Sequence, residues 1–236
     1  MILETCDPVV SIEQKNSGLD NLFDYSLNDV ENESKVGVIG KRNLEKVFQR
    51  YKELLIFNPE IYSPKQLDIN SILTPIEINA FLQITTKFEN CPEYSSLTGF
   101  FVSKLISDSF YEGNNGFNLD FRNLSRINNL ARGLIGEKEK AIEIGILGNL
   151  GRNFCSCSYN LTIAMDGIVT IKNNELFNDF SIWSQNLTAY FGEYMEETDH
   201  EFYKKRRFNS KIIYGKKAKS HPEYQRIMKH FSGVIE

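Results

Sequence analysis

The chain has 236 residues, 41% of them hydrophobic and 25% charged, with four cysteines and a formal net charge of −4. This is ordinary globular composition for one large domain or two small ones. The cysteines are too sparse for a disulfide framework, and no apolar run approaches the roughly 20 residues of a membrane span. The charge is unevenly placed: residues 200–236 hold ten basic and three acidic side chains, net +7, and the rest of the chain is net −11.

Residues 1–36 are acidic and poor in periodicity, and are read as a flexible lead. Their start, MILETCDPVV, lacks a basic region and a long apolar run, so no secretory signal is expected. Reduced thiols and a cytoplasmic location follow as expectations. The Asn-X-Ser/Thr triplets at Asn123, Asn160 and Asn186 are accordingly read as chance, because glycosylation needs a secreted chain.

A helical subdomain is predicted over 37–116. In RNLEKVFQRYKELLIF, from 42 to 57, Leu44, Val47, Phe48, Tyr51, Leu54 and Leu55 recur at the three/four spacing of a buried helical face. The second helix has a marked start: Thr74 can cap, Pro75 sits at the first helical position, and Glu77 completes a capping box. Its inner face is Ile78, Phe81 and Leu82, with Phe88 near its end. A third helix is predicted near 97–111 through Phe101, Leu105 and Ile106, ended by the turn formers EGNNG.

The hydrophobic period then changes from helical to alternating. FNLDF at 117–121, AIEIGIL at 141–147 and LTIAMDGIVTI at 161–171 all read as strand, which places a β subdomain over 117–199. Helices followed by strands indicate an α+β chain, not a wound βαβ fold. Residues 200–236 form a basic segment that ends in a helix, with Tyr224, Ile227, Met228 and Phe231 on one face. That face must bury against this chain or against a partner protein.

Gly145, Gly148 and Gly151 interrupt the second strand region, where glycine costs backbone entropy and packs nothing. A dinucleotide fingerprint would need a different spacing and a helix directly after it, and LGRNFCSCSYN is poor in helix formers. As corners of a stacked sheet the glycines make more sense. Shifting the chain by 19 puts Ile144 on Ile163 and Gly148 on Gly167, and NLTAYF at 186 echoes NLTIAM at 160. The competing reading is an antiparallel sheet, because Asp166-Gly167 between two strand-like runs is a hairpin signal.

On Leu119, Asp120, Ile142, Ile144, Gly148, Gly151, Leu161, Ile163 and Gly167, the segment 100–195 resembles a glycine-rich β-helix family. That family includes the C-terminus of the glutamate synthase large subunit, the β-helical component of formylmethanofuran dehydrogenase, and small stand-alone relatives. The resemblance implies a short right-handed β-solenoid with Gly145, Gly148, Gly151 and Gly167 as structural turn glycines, and a supporting role. It carries no catalytic residue across.

No constellation of residues identifies a reaction, and no cofactor, metal or catalytic residue is assigned. Cys155 and Cys157, two apart, read as core thiols, since a zinc site needs about four ligands. The first function read from the chain is therefore a non-catalytic scaffold or accessory protein. The alternative is a nucleic-acid-binding module, in which Lys204, Lys205, Arg206, Arg207, Lys211, Lys216, Lys217 and Lys219 neutralise phosphates while Phe202, Tyr203 and Tyr214 stack on bases. A third is a nucleotide-dependent enzyme using the glycines. No membrane partner is expected.

Overall fold

The computed structural model describes residues 36–57, 63–167, 185–192 and 211–231. It is a mixed α+β structure in which, among the described residues, three helices precede a five-stranded sheet and two short helices follow it. The predicted lead at 1–36 lies outside the described residues except for Val36.

Helix α1 (Val36–Phe57) begins six residues before the sequence pattern suggests, and buries Leu44, Val47, Phe48, Tyr51 and Leu55, with Leu54 partly covered. Helix α2 (Pro75–Ile84) starts as its sequence dictates. The Glu77 N–H donates to Thr74 Oγ1 at 3.3 Å, and the Thr74 N–H donates to Glu77 Oε2 at 2.7 Å. A reciprocal cap of this kind is worth about 1 kcal/mol. A 3-10 turn (Thr85–Phe88) extends it, and α3 (Tyr94–Tyr111) follows. Tyr51, Phe81 and Phe101 pack edge-on and stacked at centroid distances of 5.2–5.4 Å. The buried hydroxyls are partnered: Tyr51 OH lies 2.7 Å from Thr98 Oγ1, and Thr85 Oγ1 donates to the Leu82 carbonyl at 2.7 Å. Burial pushes the Tyr94 phenol up to about 12 and raises that of Tyr51 as well, so both stay protonated.

The strands are β1 (Gly116–Asp120), β2 (Ile142–Leu147), β3 (Tyr159–Asp166), β4 (Gln185–Phe191) and β5 (Lys211–Tyr214), ordered β1-β2-β3-β4-β5. Every pairing is parallel. The antiparallel alternative is thereby corrected. Asp166 and Gly167 end β3, but both edges of that strand are taken, by β2 on one side and β4 on the other, so no hairpin partner can pair there. The register places Ile144 opposite Ile163 and Leu161 opposite Leu187, the 19- and 26-residue offsets visible in the sequence.

Alternation sorts the strands into two faces. Phe117, Leu119, Ile142, Ile144, Ile146, Leu161, Ile163, Met165, Leu187, Ala189 and Phe191 point inward and join the buried helical side chains in one hydrophobic cluster. Helices and strands therefore share a core. The open edge of β1 is covered by α2: Asn79 Oδ1 accepts from the Asp120 N–H at 2.9 Å, and Gln83 Nε2 donates to the Asp120 carbonyl at 2.6 Å. An exposed ladder edge invites pairing with other chains, and these two amides occupy the backbone groups of its last residue.

The turns between strands also stack. Ile127 bridges Leu150 and Ile135 bridges Tyr159, both in parallel. Between them the backbones of 129–134 and 152–159 alternate as donor and acceptor, for example Cys155 N–H to Leu130 O at 3.0 Å and Gly133 N–H to Ser156 O at 2.8 Å. Asparagines fix the corners. Asn129, Asn153, Asn160 and Asn186 all have φ between 54° and 61°, the left-handed region that Asn tolerates better than most residues. Their amides form ladders: Asn153 Nδ2 donates to Asn129 Oδ1 at 3.1 Å, and Asn186 Nδ2 donates to Asn160 Oδ1 at 2.9 Å.

Candidate functional site

Helices α4 (Gly215–Lys219) and α5 (Pro222–Met228), with a 3-10 turn (Lys229–Phe231), lie across the outer face of the sheet. Together with β5 they contain the described part of the basic segment, so the electrostatic feature of the sequence can be placed here. Lys204, Lys205, Arg206, Arg207, Phe202 and Tyr203 lie outside the described residues.

The outer face is shaped to receive α5. In register across the sheet run Asn118, Gly145, Ala164, Tyr190 and Ile213, with small residues in the middle. Gly145 is inside β2 and makes no turn. A Cβ there would stand 3.0 Å from Phe231 Cε2 and 3.2 Å from Ile227 Cγ2, so the glycine makes room for the helix. Tyr224, Ile227, Met228 and Phe231 are buried against Leu147, Ala164, Tyr190 and Ala218. The expectation that this face could hold a partner protein is corrected: the chain's own sheet already covers it.

Two ion pairs pin the cap. Lys219 Nζ lies 3.2 Å from Asp166 Oδ1 at the end of β3. Arg226 donates through both terminal nitrogens to Glu143 on β2, at 2.7 and 2.9 Å, and also to Glu223 at 2.6 Å. Glu143, then Glu223, raises the Arg226 pKa above its ordinary value. The α5 N-terminus is capped by an imidazole: His221 Nδ1 accepts from the Glu223 N–H at 3.2 Å, and its ring lies 4.5 Å from that of Tyr190. Part of the basic segment is thus turned inward, onto the acidic body. Lys211, Lys216 and Lys217 are exposed, and Tyr214 closes β5.

The remaining glycines and the cysteines lie at the ends and turns of the stack. Gly148 follows β2 with φ +105°, and a Cβ there would come within 2.6–2.9 Å of the backbone of Phe121 and Arg122. Only a residue without a side chain fits both demands. Its N–H donates to the Asp166 carbonyl at 2.9 Å, while Gly167 stacks on it from the next strand. Gly151 N–H donates to the Ile127 carbonyl at 2.9 Å. The chain from 152 to 157 is turn, not helix, so no helix N-terminus forms behind these glycines to receive a phosphate. The reading of Cys155 and Cys157 as core thiols is corrected for Cys157. Both sit in the stacked turn with φ near 57°, Cys155 buried and Cys157 exposed. Burial pushes the Cys155 thiol up, which keeps it protonated and unreactive.

Among the described residues no three His, Cys, Asp or Glu side chains are grouped to hold a metal ion, and no helix is long and apolar enough to cross a membrane. Sequence reasoning missed the asparagine ladder and the Arg226–Glu143 contact. The ladder had a signal, Asn recurring at offsets of 24 and 26; the ion pair spans 83 positions and had none. In comparisons with known protein families, with curated proteins and with solved structures, nothing matches.

Proposed function

We propose that this chain is a non-catalytic scaffold, an accessory part of a larger assembly, built as a short β-solenoid of the glycine-rich kind it resembles. The observation that carries this reading is the stack itself. Strands pair in parallel and in chain order, and turns ride on turns through asparagine amides. Stacked coils are quasi-one-dimensional and rigid, and they present rows of side chains at the fixed spacing of a β-ladder, about 4.8 Å. Such a surface suits the positioning of other molecules. A cytoplasmic setting belongs to the same proposal.

Purifying the native complex from its source cells at low salt tests it. A stoichiometric protein partner is the expected result. Robust turnover of a small metabolite by the isolated chain would overturn it.

One observation favours a second reading. Lys216 and Lys217 stand exposed and adjacent on α4, near exposed Lys211. These are the groups a nucleic-acid-binding module would use together with Lys204, Lys205, Arg206 and Arg207. That reading expects single-stranded oligonucleotide binding that falls steeply with salt and disappears when Lys204, Lys205, Arg206 and Arg207 are neutralised. Binding indifferent to those changes removes it.

A further inference from the structure

The helical layer carries a groove that neither the sheet nor the C-terminal cap explains. It has a volume of about 1060 Å³ and runs along α1 from Arg42 to Glu53, bounded opposite by residues 68–71, Ile84 and Lys87. Eleven helical rises of about 1.5 Å make it about 17 Å long, a shape for a peptide segment more than for a compact small molecule. Its floor is apolar, through Val47, Phe48 and Ile69.

Its charge runs against that of the chain. Five basic and three acidic residues line it, in a protein of net charge −4. One pair is already matched, Glu53 Oε2 lying 3.0 Å from Arg50, which leaves four basic and two acidic residues. Lys87 stands with its ammonium 4.4 Å above the Phe48 ring, and its pKa is lowered by burial and then by the neighbouring charge of Lys52. The Lys87 ammonium over its aromatic floor, repelled by the Lys52 charge, is relieved by an anion placed beside it. Carboxylates on a segment that also offers apolar side chains to the floor would satisfy both parts of the groove.

We propose that the groove along α1 docks an acidic, amphipathic peptide segment of a partner protein, its carboxylates between Lys52 and Lys87 and its apolar side chains over Phe48. The proposal rests on the scaffold reading and supplies that reading with a contact surface.

The test uses the full-length chain and a fluorescein-labelled peptide of about twelve residues, Glu and Asp alternating with Leu and Phe at helical spacing, matched to the groove length. Saturable binding with a Kd of about 10 µM at low salt is expected. Lys52→Glu with Lys87→Glu should weaken it at least about tenfold, equivalent to about 1.4 kcal/mol, and Lys216→Glu with Lys217→Glu should not. Lys52→Gln with Lys87→Gln, with folding checked by circular dichroism, gives the same answer without charge reversal. Bound peptide should also raise the Lys87 pKa back toward the ordinary lysine value, read by side-chain NMR. No saturation by about 1 mM, or equal losses in the α1 and α4 variants, overturns the proposal.

A second outcome also overturns it. Residues 1–35 carry eight acidic and two basic side chains. If neutralising Asp20, Asp24, Asp29, Glu31 and Glu33 in the full chain tightens peptide binding about tenfold or more, the groove belongs to the chain's own lead and not to a partner. Peptide binding without any partner in the native complex would instead count against the scaffold reading alone.

Discussion

The inner face of the sheet presents Ile142, Ile144 and Ile146 from β2 and Leu161, Ile163 and Met165 from β3, all buried to 1% exposure or less. The outer face of the same two strands presents Glu143, Gly145 and Leu147, then Thr162, Ala164 and Asp166. Strand alternation alone sets these residues on opposite sides, yet the two sides are held differently. Within, branched aliphatic side chains meet three helices in a continuous core. Outside, small residues leave a shallow seat, and a seven-residue helix with the 3-10 turn after it is held there by four apolar side chains and ion pairs at its margins. The inner contacts define the fold. The outer ones attach a cap that has fewer contacts and more dependence on charge.

The largest expected effect breaks the inner side. Ile163→Ala removes a fully buried side chain at the centre of the sheet and should cost about 2–5 kcal/mol, read as a lowered urea midpoint for the whole chain. Gly145→Val addresses the other face of the neighbouring strand. Its Cβ would press on Phe231 and Ile227, and the expected cost is about 1–3 kcal/mol. Amide exchange should distinguish the two. Protection should fall across 222–231 in Gly145→Val while β2 and β3 keep theirs, and should fall everywhere in Ile163→Ala. Uniform loss in both variants would mean that the cap and the core unfold as one unit.

The sequence carried the inner side well and the outer side poorly, for physical reasons. Thr74, Pro75 and Glu77 announce α2, because capping is local chemistry between residues three apart. Ile144 and Ile163 announce their own pairing, because equivalent positions of stacked strands face the same core and keep the same kind of side chain. Asp166-Gly167 misleads toward a hairpin, because a turn signal says that a strand ends and not which strand it pairs with. β5 is hidden because KIIY lies between basic residues that dominate its composition. Gly145 looks like one more turn glycine until Phe231, 86 positions away, is seen to sit on it.

Arg226→Ala sharpens the comparison from the side of charge. It removes the bidentate contact to Glu143 and leaves the apolar face of α5 in place. The Arg226 side chain is 52% exposed, so the expected loss is about 1 kcal/mol or less. Raising the salt should reduce the difference between wild type and variant, because a partly exposed pair is screened. A salt-independent difference would place the contribution in the packing of the arginine stem.

The smallest effect concerns the edge where sheet and helical layer meet. Burial alone would raise the Asp120 pKa, but hydrogen bonds from the Arg122 guanidinium and backbone N–H, with the arginine's charge, outweigh it and leave the carboxyl below its ordinary value. A folded-state pKa lower than the unfolded one, about 3.9, gives stability that is present above that value and is lost as pH falls through the folded pKa. The side chains of this pair are 22% and 39% exposed, so the contribution is about a few tenths of a kcal/mol, as for other solvent-screened pairs. Asp120→Asn should therefore differ from wild type by a small constant amount from neutral pH down to about pH 4, and by less below it. The loss in Ile163→Ala should show no such dependence, because no proton is bound or released at an aliphatic side chain. If the two differences followed pH in parallel, the acid-sensitive group would lie in the shared core and not at the edge.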